Sequence, residues 1–198
     1  MASLLDTLQG QIGDDEIAQL SSALGADRQK VARGVAGALP LLVSGLARNA
    51  QQEDGARSLA GALDRDHDGG LLDQLGSFLG GGGDLSAGAG ILGHVFGNRD
   101  SAAARGVGQA SGLDLGQAKQ LLMMLAPIVL GALGKMKRER SMGPGDLGDL
   151  LGRDNEKLRR PGGGGDLLSS ILDRDGDGSA LDDVLEMGGG LLGGLFKK

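Results

Sequence analysis

"MLAPIVLGALG" (Met124–Gly134) is eleven residues without a charge or a side-chain hydrogen-bonding group, with a proline in its interior. It lies in the longer stretch "VGQASGLDLGQAKQLLMMLAPIVLGALG" (Val107–Gly134), where Gly112 and Asp114 stand ahead of the apolar run. Glycine ends helices and aspartate begins them, so this order predicts a helix from Leu115 to Lys137. A helix that is apolar nearly all round is buried on most sides. Pro127 removes one backbone donor and predicts a kink.

The same pattern is written earlier in the chain. "LSSALGADRQKVARGVAGALPLLVSGLA" (Leu20–Ala47) runs parallel to the first stretch at a constant offset of 87, with Gly25, Asp27, Pro40 and Leu46 meeting Gly112, Asp114, Pro127 and Leu133. Two further pairs keep the same order: acidic loops "LDRDHDGGLLD" (Leu63–Asp73) and "LDRDGDGSALD" (Leu172–Asp182), then "GILGHVF" (Gly90–Phe96) and "GLLGGLF" (Gly190–Phe196). The order implies an internal duplication, stretched in its second copy between Met136 and Gly165.

Working outward, Leu4, Leu5, Leu8 and Ile12 predict a short amphipathic helix, and Asp14 a cap for a second that ends at Gly25. Ala56–Leu63 and Leu71–Leu79 predict helices flanking the first acidic loop, and Ser86–Phe96 and Ser101–Ser111 two more. No segment alternates with period two. The expected fold is all-α: a compact multi-helix bundle with central apolar helices, internally duplicated, followed by a C-terminal EF-hand-like acidic-loop unit. Residues 1–137 form the helical domain in this reading, 138–165 a Gly/charge-rich linker carrying Pro144 and Pro161, and 166–198 the terminal unit.

Composition narrows the function classes. The 198 residues include 40 glycines, three phenylalanines and no cysteine, tyrosine or tryptophan. Disulfides, thiolate catalysis and cysteine-held metals are excluded. The formal charge is −6; Lys135–Arg160 carries +3 and the remainder −9. An acidic body argues against nucleic acid as a partner. The N-terminus has no basic stretch before an apolar run, and the longest mostly apolar runs, Gly34–Ala47 and Leu121–Gly134, are short for a bilayer. The expectation is a soluble, cytoplasmic, glycine-rich protein.

The acidic loops carry the chemistry. Carboxylates at positions 1, 3 and 5, glycine at 6 and a carbonyl at 7 converge on calcium in the EF-hand loop. The first loop supplies Asp64, Asp66, Asp68 and Gly70, and the second Asp173, Asp175, Asp177 and Ser179. Position 12 departs from the pattern: it is Leu75 or Val184 in place of a bidentate glutamate. Asp73 and Asp182 at position 10 are the replacement ligands of a shortened loop, with affinity expected on the order of 10⁻⁵ to 10⁻³ M. A plain helix–turn–helix corner explains one or two of these aspartates, since aspartate and glycine favour turns and caps. It leaves three at strict alternation, in both copies, without a cause. Calcium is therefore the one expected ligand, in a structural role.

The remaining signals are weaker. "GAGILG" (Gly88–Gly93) spells a dinucleotide fingerprint, but no strand precedes it. No serine elbow or Cys–His pair is present, so no enzyme activity is expected. His94 is expected as a buried or half-buried structural histidine. "KMKRER" (Lys135–Arg140) reads as a solvated helix C-terminus. "GGGLLGGLFKK" (Gly188–Lys198) reads as a helix docked within the chain or onto a second copy, which makes a homo-oligomer one expected state. Contact with an unknown protein partner or, as the alternative function, with a membrane surface or the envelope through the Leu/Phe/Lys terminus completes the set.

In combination, "LDRDHDGGLLD", "GAGILGHVFG" (Gly88–Gly97) and the capped helix through "MLAPIVLGALG" resemble the YidB-like bacterial family, domain-of-unknown-function family 937, over about Met1–Lys137. The resemblance implies a compact helical fold with one central helix surrounded by others. It implies no catalytic activity.

Overall fold

The computed structural model describes residues 3–66, 69–81 and 85–159. Among the described residues the secondary structure is helical: α1 (Leu4–Gln11), α2 (Asp14–Leu24), α3 (Arg28–Ala50), α4 (Glu53–Asp66), α5 (Gly70–Asp73), α6 (Leu75–Gly80), α7 (Leu85–Phe96), a 3-10 turn (Gly97–Arg99), α8 (Asp100–Ser111), α9 (Leu115–Glu139) and α10 (Pro144–Arg159). The caps explain the breaks. Asp27 Oδ1 accepts from the backbone N–H groups of Gln29 and Lys30, and Asp114 forms a reciprocal capping box with Gln117. Gly25 and Gly112 close the preceding helices in left-handed conformation, at φ +58° and +78°. Asp14 is the first residue of α2 and not its cap; the cap is Gly13, whose N–H donates to the Glu16 carboxylate at 2.9 Å.

The eleven residues Met124–Gly134 are all buried, so α9 is the axis of the molecule. Helix α3 packs against it, and α7 and α8 pack against both. Pro40 and Pro127 lie inside continuous helices. Within α3, Gly34 and Gly45 mark close contacts with neighbouring helices. A Cβ at Gly34 would stand 2.7 Å from the Leu121 side chain, and one at Gly45 would run into Val95. Gly37 is buried, but its Cβ direction is open. Two interhelix seats are tighter still: an absent Cβ would fall 2.0 Å from the Met123 carbonyl oxygen of α9 at Gly88 of α7, and 2.0 Å from the Asn49 carbonyl oxygen of α3 at Gly55 of α4. Asn49 Nδ2 donates to the His94 carbonyl at 2.9 Å and ties α7 to α3.

Helices α3 and α9 are each long and apolar enough to cross a membrane by length and composition, beyond what the two apolar runs imply. Within this fold 61% and 67% of those apolar windows are buried.

Two expectations change. Leu71–Leu79 is not one helix: it breaks at Gln74 into α5 and α6, so that Leu72, Leu75 and Leu79 all reach the core. The segment 138–165 is not a linker over most of its length. Residues 144–159 form α10, which lies against α1, α3 and α4. It buries Leu147, Leu150, Leu151 and Leu158. Pro144 starts it, where the missing N–H would have been unpaired anyway. Gly148 lets it approach α3, its Cβ position being 3.1 Å from the Ala50 carbonyl oxygen. Residues 160–165 and the terminal unit 166–198 lie outside the described residues.

Candidate functional site

The first acidic loop is a corner between α4 and α5, set on the C-terminal half of α9. Asp64 and Asp66 belong to the last turn of α4. Gly69 turns the chain at φ +98°, a conformation that side chains rarely adopt. A Cβ there would also lie 2.8 Å from Lys135 Cβ and 3.4 Å from the Gly131 carbonyl oxygen. Glycine is thus required twice, for its backbone angle and for its contact with α9. Gly70 opens α5 at once, earlier than an EF-hand loop allows its second helix to begin. The corner is shorter than the sequence pattern suggests.

Its charges are arranged as follows. Asp64, 58% exposed, accepts from Lys137 Nζ at 2.5 Å, and the lysine is only 14% exposed. This pair joins the end of α4 to the end of α9. Lys137 is therefore a paired, largely covered cation. Asp66 lies 3.9 Å from Arg65 Nε, with both side chains exposed. Asp68 and the Asp73 side chain are outside the described residues, as are Asp173, Asp175, Asp177, Ser179 and Asp182. Among the described residues no group of three or more acidic or histidine side chains is placed to hold a metal ion. The structure brings Asp64 and Asp66 to one corner and places Gly70 at the start of the next helix.

The other sequence candidates resolve plainly. His94 is exposed, which corrects the expected burial, and its Nδ1 lies 2.8 Å from the Gly90 carbonyl oxygen one turn back. "GAGILG" sits within α7 and forms no phosphate-binding turn.

One buried carboxylate was not expected. Asp154 on α10 is 2% exposed, and its Oδ2 accepts from the Leu4 backbone N–H at 2.7 Å. It thereby satisfies one of the unpaired donors at the start of α1. Ser3 and Asp6 complete the same terminus: Ser3 Oγ accepts from Asp6 N and Asp6 Oδ2 accepts from Ser3 N. Burial pushes the Asp154 carboxyl above the usual range, opposed by the hydrogen bond from Leu4 and the charge of Lys157. Asp6 is shifted down by its hydrogen bonds with Ser3. The signal for Asp154 was available as a charge between Leu151 and Leu158 on an apolar helical face, but only to a reading that made the segment a helix.

Among the described residues, two clefts are lined as follows. One, of about 560 Å³, lies between the end of α3, the start of α4 and the start of α10, with Arg57 and Asp149 at its edges. Arg57 is engaged there by Glu53 and Asp54. The other, of about 180 Å³, is a shallow groove of mixed polarity on α3 beside the corner between α1 and α2, with Gln9 among its lining residues.

No curated protein and no solved structure matches this chain. A bacterial family described only as proteins of unknown function, DUF937, matches residues 6–136, about two thirds of the chain, from within α1 to the last turn of α9. With its capped, proline-bearing central helices and acidic corner, the chain belongs to the bacterial DUF937 family of proteins of unknown function.

Proposed function

We propose that this protein is a non-enzymatic structural and interaction protein whose two acidic loops bind calcium at helix corners. The observation that carries this reading is the first corner. Gly69 there is left-handed, and the carboxylates of Asp64 and Asp66 are exposed at the end of α4. Negative charge at a helix C-terminus is unfavourable, so a cation gains from both the side chains and the helix dipole. Lys137 already supplies one positive charge, to Asp64. A calcium ion at this corner has to displace that ammonium group, which makes Asp64–Asp73 the weaker of the two loops. The loop at Asp173–Asp182 is the stronger candidate. The ion's role is to offset carboxylate repulsion and hold the angle between two helices.

We also infer that the two halves descend from one unit. The support is local and repeated: left-handed Gly25 and Gly112, capping Asp27 and Asp114, and interior Pro40 and Pro127 stand at one common offset.

Thermal melting of the full chain in calcium and in chelator tests the calcium reading. At free calcium a hundredfold above the dissociation constant, binding to the folded state adds about 2.7 kcal/mol. A rise in Tm with calcium, absent with magnesium at the same ionic strength, is the expected result. Identical melting in calcium and chelator contradicts it.

A further inference from the structure

We propose that α10 is an exchangeable arm: in a second state it leaves its own core and docks on α1, α3 and α4 of a second copy, the two copies trading arms about a hinge at residues 140–143. The hinge carries the main observation. Helix α9 closes with two backbone bonds, from the Met142 N–H to the Lys137 carbonyl at 2.9 Å and from the Ser141 N–H to the Arg138 carbonyl at 3.2 Å. An ending of this kind needs a left-handed residue, and that residue is usually glycine. Helices α2 and α8 follow the rule, with Gly25 and Gly112. At the end of α9 the residue is Ser141, at φ +51°, the one non-glycine at positive φ among the described residues. A side chain in that conformation lowers the population of the closed form by a factor of about five to thirty. Ser141 is exposed, so burial does not offset that cost. Pro144 keeps α9 from running on into α10, so the opened hinge is extended chain, in which Ser141 leaves the left-handed region.

The seat of the arm is specific enough to be found by a second chain. Helix α10 buries Leu147, Leu150, Leu151 and Leu158, gives Asp154 to the Leu4 N–H and sets Gly148 on the Ala50 carbonyl. In a reciprocal dimer each of these contacts is remade with the partner's arm. The closed and exchanged forms therefore differ mainly at the hinge and in the local concentration of the arm. A short tether holds its arm at an effective concentration on the order of millimolar. Relief of two hinges, one in each chain, brings the dissociation constant of the exchanged dimer down from there to the order of 1–100 µM. The family match ends at residue 136, so hinge and arm both lie beyond it.

Exchange has to uncover the buried leucines on the way, so the two forms interconvert slowly and each can be isolated. The sequence has no cysteine, so Gln51→Cys and Asp149→Cys each place a single thiol at an exposed position on the cleft between α3 and α10. The two full-length variants are refolded together, well above the expected dissociation constant. The dimer is then separated by size, and a short bismaleimide is added. The expected product joins a Gln51→Cys chain to an Asp149→Cys chain. The same variants folded apart and then mixed should give no such product. Ser141→Gly removes the left-handed cost of the closed form and should weaken the dimer about tenfold or more. Monomer alone after concentrated refolding overturns the proposal. A dimer without the chain-to-chain link overturns it too, and so does a dimer whose dissociation constant is the same in Ser141→Gly.

Discussion

Asp154 is a buried carboxylate that ties two helices together. Its carboxylate joins α10 to the first turn of α1 across 150 positions of chain. Asp154→Ala leaves the Leu4 N–H buried without a partner, and the expected loss is about 1–3 kcal/mol in a chemical denaturation curve. Asp154→Asn keeps an acceptor for that N–H and removes the charge, so it should cost less. The sign of the pH effect follows from burial. The folded carboxyl titrates above its unfolded value, so the native state holds the proton more tightly. Stability from this group is gained as pH falls through the folded pKa and is fully present below the unfolded value near 3.9. Asp6 and Asp100 act in the opposite sense. Both are held down, Asp6 by its hydrogen bonds with Ser3 and Asp100 by Lys119, and their contributions fade as pH falls through their folded values. The difference in stability between wild type and Asp154→Asn should therefore change across mildly acidic pH, with the Asn variant gaining relative to wild type as pH rises. A difference that is flat from pH 4 to 7 would contradict the buried ionised carboxylate.

At the level of elements, the close approach of α7 to α9 makes a sharp contrast within one helix. Gly88→Ala forces a Cβ onto the Met123 carbonyl, a backbone atom that cannot swing aside, and overpacking of this kind costs about 1–3 kcal/mol. Gly93, five residues on, faces open space, so Gly93→Ala should gain up to about 1 kcal/mol from helix propensity. Thermal melts of the two variants should move in opposite directions. Helix α10 shows where reading the chain succeeded and where it stopped. Asp27, Asp114, Gly25 and Gly112 were legible because caps and left-handed ends act locally, through the residue's own backbone and side chain. Leu147, Leu150, Leu151 and Leu158 show the same 3.6-residue spacing, but Gly145, Gly148, Gly152 and Pro144 hid it as apparent helix breakers. Gly148 is a close-contact glycine and Pro144 an initiating proline, and both facts depend on which helices lie alongside. The break at Gln74 is similar: α5 packs on α9 and α6 on α2, and those neighbours decide that Leu72, Leu75 and Leu79 all face inward. At the acidic corner, the glycine turn was legible and the Lys137 partner of Asp64 was not, since it lies 73 positions away.

For the molecule as a whole, the region shared with the family ends at residue 136, but the folded core does not. Truncation after Lys137 removes four buried leucines and the Asp154 cap. Each leucine is worth about 1.5–3 kcal/mol of burial, so the loss should reach most of a typical domain's 5–15 kcal/mol. Truncation after Arg159 leaves α10 in place and should retain cooperative unfolding. Equal stability of the two shortened chains would mean that α10 is not part of the core. The acidic loops belong to this scale as well, because each would fix a helix angle by an ion rather than by packing. The most direct test of the calcium reading is calorimetric titration of the full chain and of Asp175→Ala. The account predicts uptake by the full chain with a dissociation constant on the order of 10⁻⁵ to 10⁻³ M, and loss of the tighter component in the variant. Titrations without heat of binding in either protein, or the same in both, would contradict it.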